Sequence, residues 1–434
     1  MKISTRSKLL VLLFLMVTIS YMDRVNISVA APVIMDETGW REDLFGIIFS
    51  AFLVGLTIAK IPGGLAADKW GGQIIITVSV IGWSVFTALT PPAVNSIHLL
   101  LLVRGLVGVF ESMAVPAMAS LNAKWFPKQF ATAQMLGISG AMFGQLIAYP
   151  TTTWMVSHYS WPIAFYSYAV LGVIWIPFWF RVSAHSLMEQ TSIAPAKLRP
   201  IEGEKAGGNA PVGGEDQKLS VMRLARSLEI IAIMIGYFCF SYGGWMMVVW
   251  LPTYLVKARN FSFQQMGWVG MVPTMAGFAG LILGGITSDY FLRHGRSMRF
   301  SRQGFPASAI VLATSLVIIA VSVESPFYAV LFLVAFQLVN MLGTSGFWST
   351  ASALHPGQVG AVTGIMDFGG SFGGIVGSLV AGLLVAKTGN WALPFYTAAG
   401  SSLIGAFLLF FCVRIKAPRP EGLLIREERG LALE

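Results

Sequence analysis

Residues 9–34 read LLVLLFLMVTISYMDRVNISVAAPVI. The run is long enough to cross a bilayer, which takes about 20 apolar residues. It nevertheless carries an acid and a base, Asp23 and Arg24, near its middle. A second apolar run starts near Ile97 and holds Arg104 and Glu111, seven residues apart. A charge at mid-membrane costs about 2.5–3.5 kcal/mol on insertion scales, so such residues face a bundle interior and serve function. Two acids and two arginines inside one bundle point to a proton-linked site for an anion.

Composition extends this reading to the whole chain. Its 434 residues are 55% hydrophobic and 11% charged, with a mean hydropathy of +0.71. A water-soluble protein of this length needs far more polar surface, whereas lipid-facing helices need none. Helices follow because lipid offers the backbone no partners, and these runs are too long and continuous for the alternation of a barrel. Twelve spans are predicted: 9–34, 43–67, 73–91, 97–119, 131–153, 162–182, 228–255, 264–288, 305–323, 327–352, 358–385 and 391–414. The first is kept as a membrane helix and not a cleaved signal, because its pattern continues past Asp23-Arg24 with no small-residue cleavage site.

The net charge of +9 sorts by side. One set of connections holds Lys2, Arg6, Lys8, Lys69, Lys124, Lys128, Arg181, the basic residues of the long middle segment, Arg293, Arg296, Arg299, Arg302 and those of the tail. The opposite set holds only Arg41, Lys257, Arg259 and Lys387. This asymmetry puts both termini in the cytoplasm of a multi-pass plasma (inner) membrane protein and removes any need for a nucleic-acid partner. Cys239 and Cys412 both fall in apolar spans, and the five histidines show no ligand spacing, so no metal or cofactor is expected. Nor is there a nucleophile–base spacing of an enzyme.

The predicted architecture is therefore all-α and integral to the membrane, with twelve transmembrane helices in two pseudo-symmetric six-helix bundles. Residues 1–182 form the N-terminal bundle and 183–227 a cytoplasmic linker with a short amphipathic helix near 218–227. Residues 228–416 form the C-terminal bundle and 417–434 a cytoplasmic tail. The halves echo each other. Gly64-Leu-Ala-Ala-Asp68-Lys69-Trp-Gly71 follows the second span, and Gly285-Ile-Thr-Ser-Asp289-Tyr-Phe-Leu-Arg293 follows the eighth. Gly137-Ile138 in the fifth span also matches Gly364-Ile365 in the eleventh. Duplication of a six-helix unit marks transporters built from parallel repeats.

The Gly-x3-Asp-Lys loop and its repeat resemble the cytoplasmic loop motif of the major facilitator superfamily over about residues 8 to 416. The resemblance implies that Gly64, Asp68, Lys69, Asp289 and Arg293 bridge the halves at the cytoplasmic side and stabilise the outward-open state. Tyr21-Met22-Asp23-Arg24-Val25-Asn26, Arg104-Gly105-x2-Gly108-x2-Glu111 and Lys124-Trp125-Phe126-Pro127 look like the anion:cation symporter branch. That branch includes importers of galactonate, glucarate and hexuronate, carriers of tartrate and aromatic acids, sialin and the vesicular glutamate transporters.

Seven residues are nearly two helical turns, so Arg104 and Glu111 share a face about 10 Å apart along the axis. Asp23 and Arg24 point about 100° apart, so Arg24 can lean to the fourth helix while Asp23 faces elsewhere. Arginine stays charged and grips a carboxylate with a planar fork. Burial opposes ionisation of a carboxyl and a neighbouring arginine favours it. Asp23 and Glu111 are thus candidates for proton coupling, neutralising Arg24 and Arg104 in the empty carrier; the alternative is a static salt-bridge set joining helices. Tyr21, Gln145 and Trp348 are further substrate candidates, with Trp245 as a second aromatic wall; plain packing explains the tryptophans equally well. Asn26 either points to the pocket or packs against the fifth helix.

The chain departs from the branch at two places. Leu56 and Lys60 stand where a tyrosine and a glutamine commonly precede Pro-Gly-Gly, and Asp367 stands where an asparagine commonly precedes Phe-Gly-Gly. Lys60 and Asp367 compensate in charge on helices that neighbour each other in this fold. They form a structural or gating bridge, or they contact a substrate other than a simple sugar acid. The predicted function is a monomeric proton symporter for a small organic carboxylate. Its rivals are an exporter or exchanger of an aromatic, dicarboxylic or amine-bearing acid, and a membrane sensor with a carrier fold.

Overall fold

A computed structural model of the chain describes residues 5–126, 130–197, 226–354 and 359–415. The first half runs α1 (Thr5–Thr38), α2 (Glu42–Ile58), α3 (Lys60–Trp70), α4 (Gly72–Ala93), α5 (Ile97–Trp125), α6 (Phe130–His158) and α7 (Trp161–Lys197). The second half runs α8 (Leu228–Lys257), α9 (Phe263–Val269), α10 (Met271–Arg293), α11 (Phe305–Ser322), α12 (Pro326–Leu354), α13 (Val359–Thr388) and α14 (Ala392–Phe407). Among the described residues there is no strand. Among the described residues, eleven helical stretches are long and apolar enough to cross a membrane, with Phe263–Arg293 counted as one. The remaining long helix, α6, has its apolarity diluted by Gly140, Gly144, Gln145 and Thr151 to Thr153, and it lies along α1 like its neighbours.

These helices are apolar on both faces. Leu102, Val173, Phe278, Leu331 and Phe407 turn outward, while Leu13, Ile76, Val107, Phe165 and Phe347 are buried. A helix that is hydrophobic all round is a core helix of a large protein or a membrane span. Proline accounts for two interruptions of helices that the sequence reads as continuous. Pro62 cannot donate to Ile58, and the second span breaks at Ala59 into α2 and α3. Pro273 does the same to Val269, and the eighth span breaks at Gly270 into α9 and α10. The sixth span runs to Lys197 instead of stopping at 182, because residues 183–194 hold neither glycine nor proline to end it. The rest of the predicted linker up to 225, and the tail, lie outside the described residues. The seventh span starts after Ser227, whose side chain accepts from the Ile230 amide as a helix cap.

Glycine sets how closely the first half packs. A Cβ on Gly108 of α5 would stand 2.1 Å from the Phe52 carbonyl oxygen of α2, and one on Gly55 of α2 would stand 2.0 Å from that of Gly105. The backbones touch, and this contact carries Arg104 and Glu111 of α5 against α2. Gly108→Val is expected to clash with backbone that has nowhere to go, an overpacking cost of about 1–3 kcal/mol or more. A thermal-shift measurement on detergent-purified protein checks this: the variant melts several degrees below the parent, while Val109→Ala, a volume-reducing control one residue on, stays closer to it.

The halves meet along α2 and α13, α1 and α8, and α6 with α9 and α10. At the end opposite the basic loops the contact is tight. A Cβ on Gly382 of α13 would lie 2.4 Å from the Glu42 carbonyl oxygen, Arg41 donates to the Ala386 carbonyl, and Lys257 Nζ stands 3.6 Å from both Asp36 and Glu42.

Candidate functional site

Between the halves lies a cavity of about 400 Å³. Its walls come from the middle and the basic-end portions of α1, α2, α3, α5 and α6 on one side and of α8 and α13 on the other. Two ion pairs line it. Arg24 donates to Glu111 Oε2 from Nη2 at 2.8 Å and from Nε at 3.2 Å. The pair is secluded: the side chains are 10% and 0% exposed. Helical spacing puts Tyr21 one turn before Arg24 on the same face, and the guanidinium lies 4.1 Å from the Tyr21 ring centroid. Trp245, 5.9 Å from the same guanidinium, lines the cavity from α8.

In the second pair Lys60 Nζ donates to Asp367 Oδ2 at 2.8 Å and to Ser371 Oγ at 2.9 Å. These side chains are 32% and 39% exposed. Lys60 belongs to the first half and Asp367 to the second, so the pair spans the interface within the cavity wall. Four hydroxyls that the charge pattern did not single out also face the space: Ser20, Ser112, Ser241 and Ser371, with Tyr237 beside them. Single serines in apolar helices carry no distinguishing sequence signal, and only the packing reveals them.

Other expected site residues lie elsewhere. Asp23 is buried and accepts a hydrogen bond from the Thr87 hydroxyl of α4, turned away from Arg24 as adjacent helical positions require. Arg104, expected at the substrate, does not line the cavity. It is buried, with its Cζ 5.1 Å from the Phe52 ring centroid, and its Nε and Nη1 lack hydrogen-bond partners. The same phenyl ring lies 5.4 Å from the Arg24 guanidinium. Asn26 is fully buried with both amide atoms unpartnered, outside the cavity. Gln145 is also absent from the lining. So is Trp348, which is exposed and stands edge-on to Tyr237 at 6.0 Å.

Among the described residues the loop motifs make no ion pair between the halves. Asp289 pairs at 2.9 Å with Arg302, a residue of its own half in the π-turn Phe300–Gly304, and Arg293 is exposed. Gly64 is half-buried and Lys69 is exposed, its Nζ 5.5 Å from the Trp70 ring; the Asp68 side chain lies outside the described residues. Among the described residues no group of three or more His, Cys, Asp or Glu is placed to hold a metal ion.

The family model described as Major Facilitator Superfamily matches residues 13–301 and 233–433. The chain belongs to the Major Facilitator Superfamily. This facilitator is a multi-pass membrane transporter, not an enzyme. It is 31% identical over 404 residues to a D-galactonate transporter of Escherichia coli O6:H1, covering 92% of this chain and 93% of that one. It is 29% identical over 398 residues to a probable anion transporter 4, chloroplastic, of Oryza sativa subsp. japonica, covering 88% of this chain and 64% of the rice protein's length. In fold it matches a bacterial homologue of the human lysosomal transporter Spinster solved inward-facing and unoccupied. The TM-score is 0.76 at 16% identity, over 96% of this chain and 99% of that one.

Proposed function

We propose that this facilitator is a proton-coupled symporter that imports a small carboxylated organic anion across the plasma membrane, both termini cytoplasmic, by rocking of its two six-helix halves. The relatives named as galactonate and anion transporters support an organic anion as cargo. The observation that carries the coupling is the Arg24–Glu111 pair in the cavity wall.

Arg24 offers its fork to one carboxylate. When the carboxylate of the cargo takes it, Glu111 loses its partner at zero exposure. Stranding a buried charge costs about 3–5 kcal/mol, and a proton on Glu111 removes that cost. Anion and proton are therefore favoured together and each alone is not. Asp23, buried on the same helix and held by Thr87, is the second acid of the proton route. It lies within electrostatic reach of both Arg104 and Glu111.

The test is uptake by proteoliposomes of labelled galactonate and a panel of other carboxylates. Acid outside and neutral inside is expected to accelerate uptake, and a protonophore to abolish the acceleration. Uptake of every accepted carboxylate at one rate regardless of the gradient overturns the coupling.

A further inference from the structure

The second ion pair of the cavity is built differently from the first. Lys60 opens α3, just past the break at Ala59. Asp367 and Ser371 sit one turn apart on α13, on the same helical face. The Lys60 ammonium has three N–H groups and uses two, on Asp367 Oδ2 and Ser371 Oγ. Ser371 accepts the lysine's hydrogen and keeps its own hydroxyl hydrogen to donate. One N–H and one O–H are thus available at the same spot on the cavity wall, where Lys60, Asp367 and Ser371 all face the space. That is a seat for an anionic oxygen pair. A cation finds less: Asp367 alone, with the Lys60 charge 2.8 Å away and the Ser371 oxygen already engaged. The basic loops at the end nearer this seat add a positive field that favours anions further.

We propose that the transported molecule is a dianion, its first anionic group on Arg24 and its second on Lys60 and Ser371. This rests on the carboxylate-importer reading and adds to it the number of anionic groups. Exposure separates the two seats. Glu111 has no water to turn to and needs a proton when Arg24 is taken. Asp367 is 39% exposed, so its carboxylate keeps its hydration and its bond to Lys60 beside the incoming anion. The second seat also adds a link between the halves through the cargo, from Arg24 and Lys60 to Ser371, to the direct Lys60–Asp367 one. A monoanion adds no such link.

The test compares each α,ω-dicarboxylate (succinate, glutarate, adipate) with its own monoamide, which keeps length and one charge. Full-length protein in detergent is titrated by tryptophan fluorescence, since Trp245 lines the cavity, and the same probes compete for uptake in proteoliposomes. At least one diacid is expected to bind tenfold or more tightly than its monoamide. Lys60→Gln brings that ratio near one, and Lys60→Arg keeps most of it. The wild-type comparison alone decides the matter if the variants fold poorly. Equal binding of diacid and monoamide at every length overturns the proposal, as does tighter binding of the ω-amino acid of matching length, which would make Asp367 the recognising group. Gradient-driven uptake of monoacids without discrimination sinks the dianion alone. Absence of any pH-driven carboxylate uptake sinks the importer reading and the dianion with it.

Discussion

Glu111→Gln abolishes accumulation driven by a pH gradient, while exchange of labelled for unlabelled cargo at equal pH continues. The amide keeps the shape of the acid but never carries its charge. It stands permanently in the protonated role, so Arg24 is always free for the cargo and the carrier cannot return empty with its proton released. The expected size is large, a fall of at least tenfold in gradient-driven uptake, because the carboxylate is wholly secluded and is the only acid that Arg24 pairs with among the described residues. Parallel measurement of counterflow and gradient-driven uptake checks it. If Glu111→Gln and Asp23→Asn each preserved driven uptake, protons would have to enter by another route and the coupling scheme would be wrong.

Arg24→Lys is the second large effect. Lysine keeps the charge and loses the geometry. Two nitrogens of Arg24 converge on one Glu111 oxygen, and its guanidinium carbon lies over the Tyr21 ring, 4.1 Å from its centroid. A compact ammonium reproduces neither the fork nor the stacking. Charge-assisted hydrogen bonds are worth about 1.5–3 kcal/mol each, so loss of one weakens cargo binding by roughly 10- to 150-fold. Titration of tryptophan fluorescence with the transported carboxylate measures it. The variant's melting temperature serves as control, since an ammonium still neutralises Glu111 and the fold is expected to survive.

Much of this molecule was legible in its residues because lipid makes sequence speak plainly. Twelve apolar runs admit one class of structure, and Asp23, Arg24 and Glu111 stand out because charges there need a reason. The Arg24–Glu111 contact follows from one residue leaning to the fourth helix. Lys60 and Asp367 were visible as two departures with opposite charge. Depth was not legible. Arg104 and Glu111 share a helix face, but two turns separate them, and a cavity of this size receives one and leaves the other under Phe52. The Asp289–Arg302 pair escaped for a related reason: the π-turn that brings Arg302 round has no pattern of its own. Local breaks at Ala59 and Gly270 were signalled by Pro62 and Pro273, whose effect appears three residues upstream and not at the proline itself.

The closed end of the molecule bears on how fast a carrier of this kind turns over. Lys257 is shared between Asp36 and Glu42 at 3.6 Å each, and Asp36 is 71% exposed on its side chain. Long, wet pairs of this sort are worth about 0–1 kcal/mol and weaken as salt rises. Most of what holds that end shut is apolar and backbone packing between the halves, such as Phe49 edge-on to Trp250 and Gly382 against the α2 backbone, contacts that separate without stranding a charge. A carrier completes a cycle only as quickly as its most comfortable conformer lets go. Here the latch breaks no fully buried ion pair when it opens, so the electrostatic part of that step is left to the cargo and its proton.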